Sequence, residues 1–364
     1  MDGESYEHGA RALETRVGII NRNASFGGGV HPSRSVSLRL LLPFKVAERI
    51  SSVRWTLLPE DSDKIDYSVL DAVFFCRHSS EASLKIHEIC KQYSIPTVYD
   101  IDDLVTGYPA YFQLGEDEML VQEHILKHLA YADRITVENR DLLKSLPNNI
   151  ISKASVIENA FSFDDYPLTK SLKCRNKKII FTNAAGLKFD NFRKEFFQVL
   201  DTFCKQYGYE VHVFSDLGKS QFPLENMVYR GATSWEEHKK ILAAECFDLA
   251  VVPLGGADDS HLSEFNRCKS IIKFIEYASC GIPSIFSNEL PYQERLTSYK
   301  NCILVNNTKS DWSQALSEIA CNDKLNQEIR AYAYHEAKSN FDMKSASEKL
   351  LHMLYKMTTL KLSY

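Results

Sequence analysis

Along the first half of the chain, short apolar runs rich in β-branched and aromatic residues alternate with longer stretches whose apolar positions recur every three to four residues. RVGIINR (16–22), VRWTLLP (53–59), AVFFCR (72–77), PTVYDID (96–102), RITVEN (134–139) and ASVIENA (154–160) read as strands. Residues 33–51, 80–93 and 118–131 read as helices between them. Continuous apolar strands separated by amphipathic helices predict a parallel sheet covered on both faces. The pattern breaks in FSFDDYPLTKSLKCRNK (161–177), which is polar and aperiodic. It then resumes with KIIFTNA (178–184), YEVHVFS (209–215), MVYRGA (227–232), FDLAVVPL (247–254), IPSIFS (282–287) and CILVNN (302–307) as strands. Helices are expected at 189–207, 234–245, 266–280, 311–320, 325–339 and 343–358. The expected class is α/β, divided into an N-terminal domain (1–162), a linker (163–177), a C-terminal domain (178–340) and a last helix (341–364).

A length of 364 residues fits two cores better than one. The net charge of −5 argues against a general affinity for nucleic acid. No run reaches the roughly 20 apolar residues that span a bilayer, and the polar N-terminus does not read as a signal peptide. Nine cysteines, scattered and without a CxxC pair, suit reduced thiols in a cytoplasmic protein and neither disulfides nor a zinc site. His124 and His128, four apart without a third ligand, read as helix surface.

In open α/β sheets ligands gather beyond the carboxyl ends of strands, and four segments fall there. SFGGGV (25–30) follows the first strand; Gly27, Gly28 and Gly29 would let the backbone approach a ligand, or form a plain surface turn. YDIDDL (99–104) ends the fourth strand with Asp100, Asp102 and Asp103. Clustered carboxylates suit a general base, a metal or hydrogen bonds to sugar hydroxyls, and equally a helix cap. NRCKSIIKFIEYASCGIPSIFS (266–287) places Lys269, Lys273 and Glu276 on one helical face, with Asn266 as cap and Ser270 in the first turn. Dipole, cations and hydroxyl together form an anion site, and Glu276 can accept from a vicinal diol such as ribose. Gly281 fits the position after the helix end. NAAGLKFDNFRKEF (183–196) offers Lys188 and Arg193 to a diphosphate.

These residues resemble nucleotide-sugar glycosyltransferases of the GT-B fold, near the GT4-like group. Glu276 followed by Gly281-Ile282-Pro283 carries the likeness, with YRGAT (229–233), FDLAVVPL, IPTVYDIDDL, ADRITVEN (132–139) and IENAF (157–161). The family commonly has two glutamates flanking seven residues. Glu276 matches the second and Cys268 stands at the first; Lys269, Ser270 and Lys273 instead match the KSxxKxxEY variant of some polysaccharide-assembly transferases. A histidine common after the fourth strand is replaced by the Asp100–Asp103 cluster.

The resemblance implies two Rossmann-like domains across a cleft, the last helix returning to the N-domain. It also implies a metal-independent, cofactor-free and retaining transfer from a nucleotide-diphosphate sugar to a growing surface glycan or lipid-linked acceptor. Asp100, Asp102 or Asp103 would serve the acceptor. Lys188, Arg193, Lys269, Ser270 and Lys273 would hold the phosphates, and Glu276 the ribose. A sugar-nucleotide epimerase and a non-catalytic glycan-binding partner are the alternatives. A lipid-linked acceptor calls for peripheral contact with the inner membrane face. SRSVSLRLLLPFKVAERI (33–50) would supply it, unless it is simply the first core helix, bent at Pro43.

Overall fold

The computed structural model describes residues 14–26, 29–60, 65–105, 116–163, 176–183, 192–255 and 260–359. Two six-stranded parallel sheets form the molecule. The first contains β1 (Thr15–Ile20), β4 (Val53–Leu58), β5 (Ala72–Cys76), β6 (Thr97–Ile101), β7 (Arg134–Val137) and β8 (Ala154–Val156), in the order β4-β1-β5-β6-β7-β8. The second contains β9 (Lys178–Asn183), β10 (Glu210–Ser215), β11 (Met227–Tyr229), β12 (Leu249–Val252), β13 (Ser284–Ser287) and β14 (Ile303–Val305), in the order β11-β10-β9-β12-β13-β14. Every strand read from the sequence is present. Of the expected linker, residues 164–175 lie outside the described residues.

Alternation of side chains fills both faces of each sheet. Val17, Phe74 and Val98 pack on one side of the first sheet, and Val73, Phe75 and Tyr99 on the other. Phe181, Val213 and Val251 occupy one face of the second sheet, and Ile180, Phe214 and Val252 the opposite face. Continuous apolar runs predict this arrangement, since neither face of such a strand can meet water.

The segment SFGGGV is not a plain loop: β2 (Asn23–Phe26) and β3 (Gly29–Pro32) pair antiparallel, with Phe26 opposite Gly29. Gly27 and Gly28 lie outside the described residues. Ser33 then caps a helix that runs through Ile50. Pro43 has no N–H to donate, and the chain widens into a π segment at Ser37–Leu41 just before it, Leu42 N–H donating to Ser37 O. Leu38, Arg39, Leu40, Leu41 and Phe44 are all buried, so this is a core helix and not a membrane-facing one.

The last helix, Met343–Thr359, returns to the N-domain. It buries Leu350, Leu354 and Met357 beside Phe44 and Ala47, each large side chain contributing about 1.5–3 kcal/mol. Ser347 Oγ donates to Pro43 O at 2.9 Å. The two chain passes between the domains bond to each other: Phe161 N donates to Phe341 O at 2.9 Å and Met343 N to Phe161 O at 3.0 Å. Among the described residues, no helix is long and apolar enough to cross a membrane.

Candidate active site between the two sheets

The domains meet through the loops at the carboxyl ends of their strands. Beyond β7, Asn139 Nδ2 donates to Cys268 O at 2.8 Å. Ser270 Oγ donates to Glu138 Oε1 and accepts from Asn159 Nδ2, both at 2.9 Å. Beyond β6, Asp103 lies 3.6 Å from Lys269 Nζ. Beyond β3, the Arg34 guanidinium lies over the Trp235 ring, 5.7 Å from its centroid.

The helix expected at 266–280 is two helices. Ser260–Arg267 ends before Lys269, and Ile272–Ser279 begins after Ser270. Asn266 is therefore no cap: it sits in the last turn of the first helix, its Nδ2 donating to Gly255 O at 2.8 Å. Ser270 takes part of that role, its Oγ accepting from Ile272 N at 3.0 Å. Lys269 and Ser270 lie in the turn leading to the second helix, and Lys273 and Glu276 project from that helix. Gly281 adopts φ 62° where Ile282 N returns to Tyr277 O at 2.8 Å, as the expected helix end requires.

Around Glu276 the interior holds an unusual concentration of polar atoms without aligned partners: Thr182 Oγ1, Thr233 Oγ1, Trp235 Nε1, both ring nitrogens of His238, Glu276 Oε1 and Tyr277 OH. Each such group costs about 1–3 kcal/mol if left dry. They come from β9, the loop after β11, the Trp235–Glu245 helix and the Ile272–Ser279 helix. Glu276 Oε1 lies 2.7 Å from His238 Nε2 as an ion-pair contact out of hydrogen-bond alignment. Burial would raise the Glu276 pKa, but His238, Arg34 and Lys273 outweigh it and hold the carboxylate below its usual range. Lys273 Nζ donates to Thr182 O at the end of β9. Burial, with Arg34 and Lys269 nearby, lowers its pKa to about 8 despite Glu276. Thr182 and Lys273 thus stand beside the boundary between β9 and β12, where the strand order of the second sheet reverses and α/β sheets bind ligands.

The aspartates divide. Asp100 is fully buried: Arg39 grips it with Nη2 at 2.8 Å and Nε at 3.0 Å, and Thr136 Oγ1 donates at 2.5 Å. A carboxylate so enclosed cannot reach an acceptor hydroxyl, which corrects its reading as a base. Asp102 accepts from Ser35 Oγ at 2.8 Å and Arg77 Nη1 at 3.2 Å, so it fastens the start of the first helix. Asp103 alone of the three faces the other domain. Arg193 is likewise corrected as a phosphate ligand, since its Nη2 donates to Gln221 O and Oε1 at an exposed position. Lys188 lies outside the described residues.

His128 also differs from expectation, whereas His124 stays partly exposed on its helix, its Nδ1 2.8 Å from Ser79 O. His128 is fully buried, with its Nδ1 2.9 Å from His87 Nε2 and its Nε2 2.9 Å from Ser83 Oγ. Among the described residues, no group of three or more His, Cys, Asp or Glu can hold a metal.

Four residues at the cleft escaped the sequence reading: Arg34, Glu138, Trp235 and His238. Glu138 is fully buried and its pKa is raised by burial, against Asn139, Arg39, Arg295 and Ser270. It follows the last residue of β7 as Asp102 follows the last of β6, and that shared position was the available signal.

No family model and no curated protein matches the sequence. Solved structures do. HepE of Anabaena in complex with UDP-glucose is similar over 94% of this chain and 99% of its own, at TM-score 0.64 and 10% identity. Sucrose-phosphate synthase from Thermosynechococcus elongatus is similar over 95% and 100%, at TM-score 0.63 and 10% identity. A putative UDP-N-acetylglucosamine 2-epimerase from Listeria monocytogenes is similar over 94% and 96%, at TM-score 0.56 and 10% identity. With its two parallel sheets facing across a cleft, this chain has the GT-B fold.

Proposed function

We propose that the chain is a glycosyltransferase that takes a sugar from a nucleoside-diphosphate sugar. The observation that carries this reading is the buried, unpartnered polar cluster around Glu276, beside Lys273 at the strand-order reversal of the second sheet. Glu276, held ionised, accepts from the ribose hydroxyls. Lys273 faces the diphosphate, with Lys269 held beside it by Asp103, and the Ile272–Ser279 helix directs its N-terminus toward the charge that develops as the glycosidic bond breaks. Asp103 is the carboxylate placed to orient the acceptor hydroxyl. The resemblance adds retention, metal independence, and a surface glycan or lipid-linked acceptor.

An epimerase is the second reading, favoured by the similarity to the Listeria protein. Calorimetry with a panel of nucleoside diphosphates and their sugars tests the donor site. Lys273→Ala is expected to weaken binding by about 1.5–3 kcal/mol through the lost charge-assisted contact. Unchanged affinity in that variant removes the anion site. Product analysis then separates transfer to an added acceptor from isomerisation of the donor.

A further inference from the structure

Arg34, from the N-domain, lies over the Trp235 ring of the C-domain cluster, a ring whose edge also meets Phe161. It stands in the first turn of the 34–50 helix, and its direction is fixed from two sides. Ser33 Oγ accepts from Val36 N at 3.3 Å and closes that turn. One residue on, Ser35 Oγ donates to Asp102; a further four on, Arg39 grips Asp100. With Ser35 and Arg39 turned to the ends of the first sheet, Arg34 is presented across the cleft, and it rests on Trp235, whose indole N–H is buried without a partner.

No carboxylate or hydrogen-bond acceptor meets Arg34 among the described residues. It faces instead the group that holds Lys273, Glu276 and Tyr277, each of which feels its charge. An arginine fork laid on an aromatic face, beside a lysine and in hydrogen-bond contact with no carboxylate among the described residues, has the chemistry of a phosphate ligand.

We infer that Arg34 reaches across the cleft to the diphosphate of the bound nucleotide, pairing with Lys273 to clamp it from both domains. The aspartates Asp100 and Asp102 are then positioning residues for the donor through the first helix, not groups that act on the acceptor. This rests on the donor-site reading above and adds to it a ligand from the opposite domain.

The clamp has a signature beyond affinity. Lys273 must be protonated to bind an anion, so affinity declines once pH rises above its pKa in the free protein, about 8. The charged groups around Lys273 are Arg34 from the N-domain, Glu276 on its own helix and Lys269 in the turn before it; His238, on the neighbouring helix, lies against Glu276. Removing Arg34 removes a repulsion, so the alkaline decline begins at higher pH.

Calorimetric titrations of the full chain with UDP and with uridine, in wild type, Arg34→Ala and Arg34→Lys, decide the matter, with thermal unfolding confirming that each variant folds. Arg34→Ala is expected to lose tenfold or more in UDP affinity, to leave uridine affinity within twofold, and to move the onset of the alkaline decline upward. Arg34→Lys, which keeps the charge without the fork, regains part of the loss. If wild type binds UDP and Arg34→Ala binds it as tightly with the same pH onset, Arg34 is only a contact between the domains and the inference falls alone. If UDP and uridine affinities fall together, Arg34 supports the pocket and not the phosphates. If wild type binds neither UDP nor any other nucleoside diphosphate of the panel, the donor-site reading and this inference fall together.

Discussion

Asp100 and Glu276 are both fully buried carboxylates near the cleft, one in each domain, and their surroundings are opposite. Asp100 is met by a two-pronged arginine, a threonine hydroxyl and the Cys76 thiol at 3.4 Å. Glu276 Oε1 meets His238 out of hydrogen-bond line, and among the described residues the threonine, tryptophan and tyrosine polar atoms around it are also without aligned partners. Both sites carry the cost of desolvation. Among the described residues only the first recovers it, so the first belongs to the fold, and in the proposed donor site the second is completed by the nucleotide.

The largest test of this contrast is folding stability. Arg39→Met leaves Asp100 charged and enclosed, and is expected to destabilise the N-domain by about 3–5 kcal/mol in urea unfolding. Arg39→Met with Asp100→Leu removes both charges and should recover most of the loss. Glu276→Gln, by contrast, should change stability by less than about 1 kcal/mol while donor binding falls. A stable Arg39→Met protein, or a Glu276→Gln protein that unfolds, would invert the assignment.

Next in size is the acid limb. His87 and His128 bond to each other, and beyond them to Thr97 at 3.1 Å and Ser83 at 2.9 Å, so all four ring nitrogens are engaged. Burial lowers their pKa values to about 4 and about 2, the second also through His87 and the other histidines. In the unfolded chain each titrates near 6.5. Their contribution is therefore complete above pH 6.5 and declines as the pH falls from there toward 4, by up to about 1.4 kcal/mol per pH unit for each histidine. Replacing both with Gln should flatten that slope in unfolding experiments from pH 7 to 4. An unchanged slope would place the acid sensitivity elsewhere.

The strands and most helices were legible because burial on both faces writes itself as continuous apolar runs. What the sequence did not show was direction and company. Lys269, Lys273 and Glu276 have helical spacing, but a break at Cys268–Ile271 puts Lys269 in a turn. YDIDDL shows three aspartates at a strand end, yet the partner that occupies Asp100 is Arg39, 61 residues earlier. Arg34 and Trp235 stand 201 positions apart and belong to no local motif, so only the closure of the two domains brings them together. His128 resembled a surface residue because its neighbours Ser83 and His87 lie on another helix.

The smallest effect separates the two lysines that helical spacing had made equivalent. Lys273 lies among the unpartnered atoms, with its pKa lowered by burial. Lys269 already has company: Asp103 across the cleft at 3.6 Å, and the Phe265 ring 4.2 Å below its Nζ. The two side chains are only 16% and 22% exposed, and a lysine that must leave an aspartate to meet a phosphate exchanges one anion for another and gains little. Lys269→Ala is therefore expected to change nucleoside-diphosphate affinity by less than about 1 kcal/mol, well below Lys273→Ala. Calorimetry on both variants at equal ionic strength makes the comparison. Equal losses would mean that Lys269 leaves Asp103 when the donor binds. Transfer measured in the Asp103→Asn variant should then fall while nucleotide affinity holds.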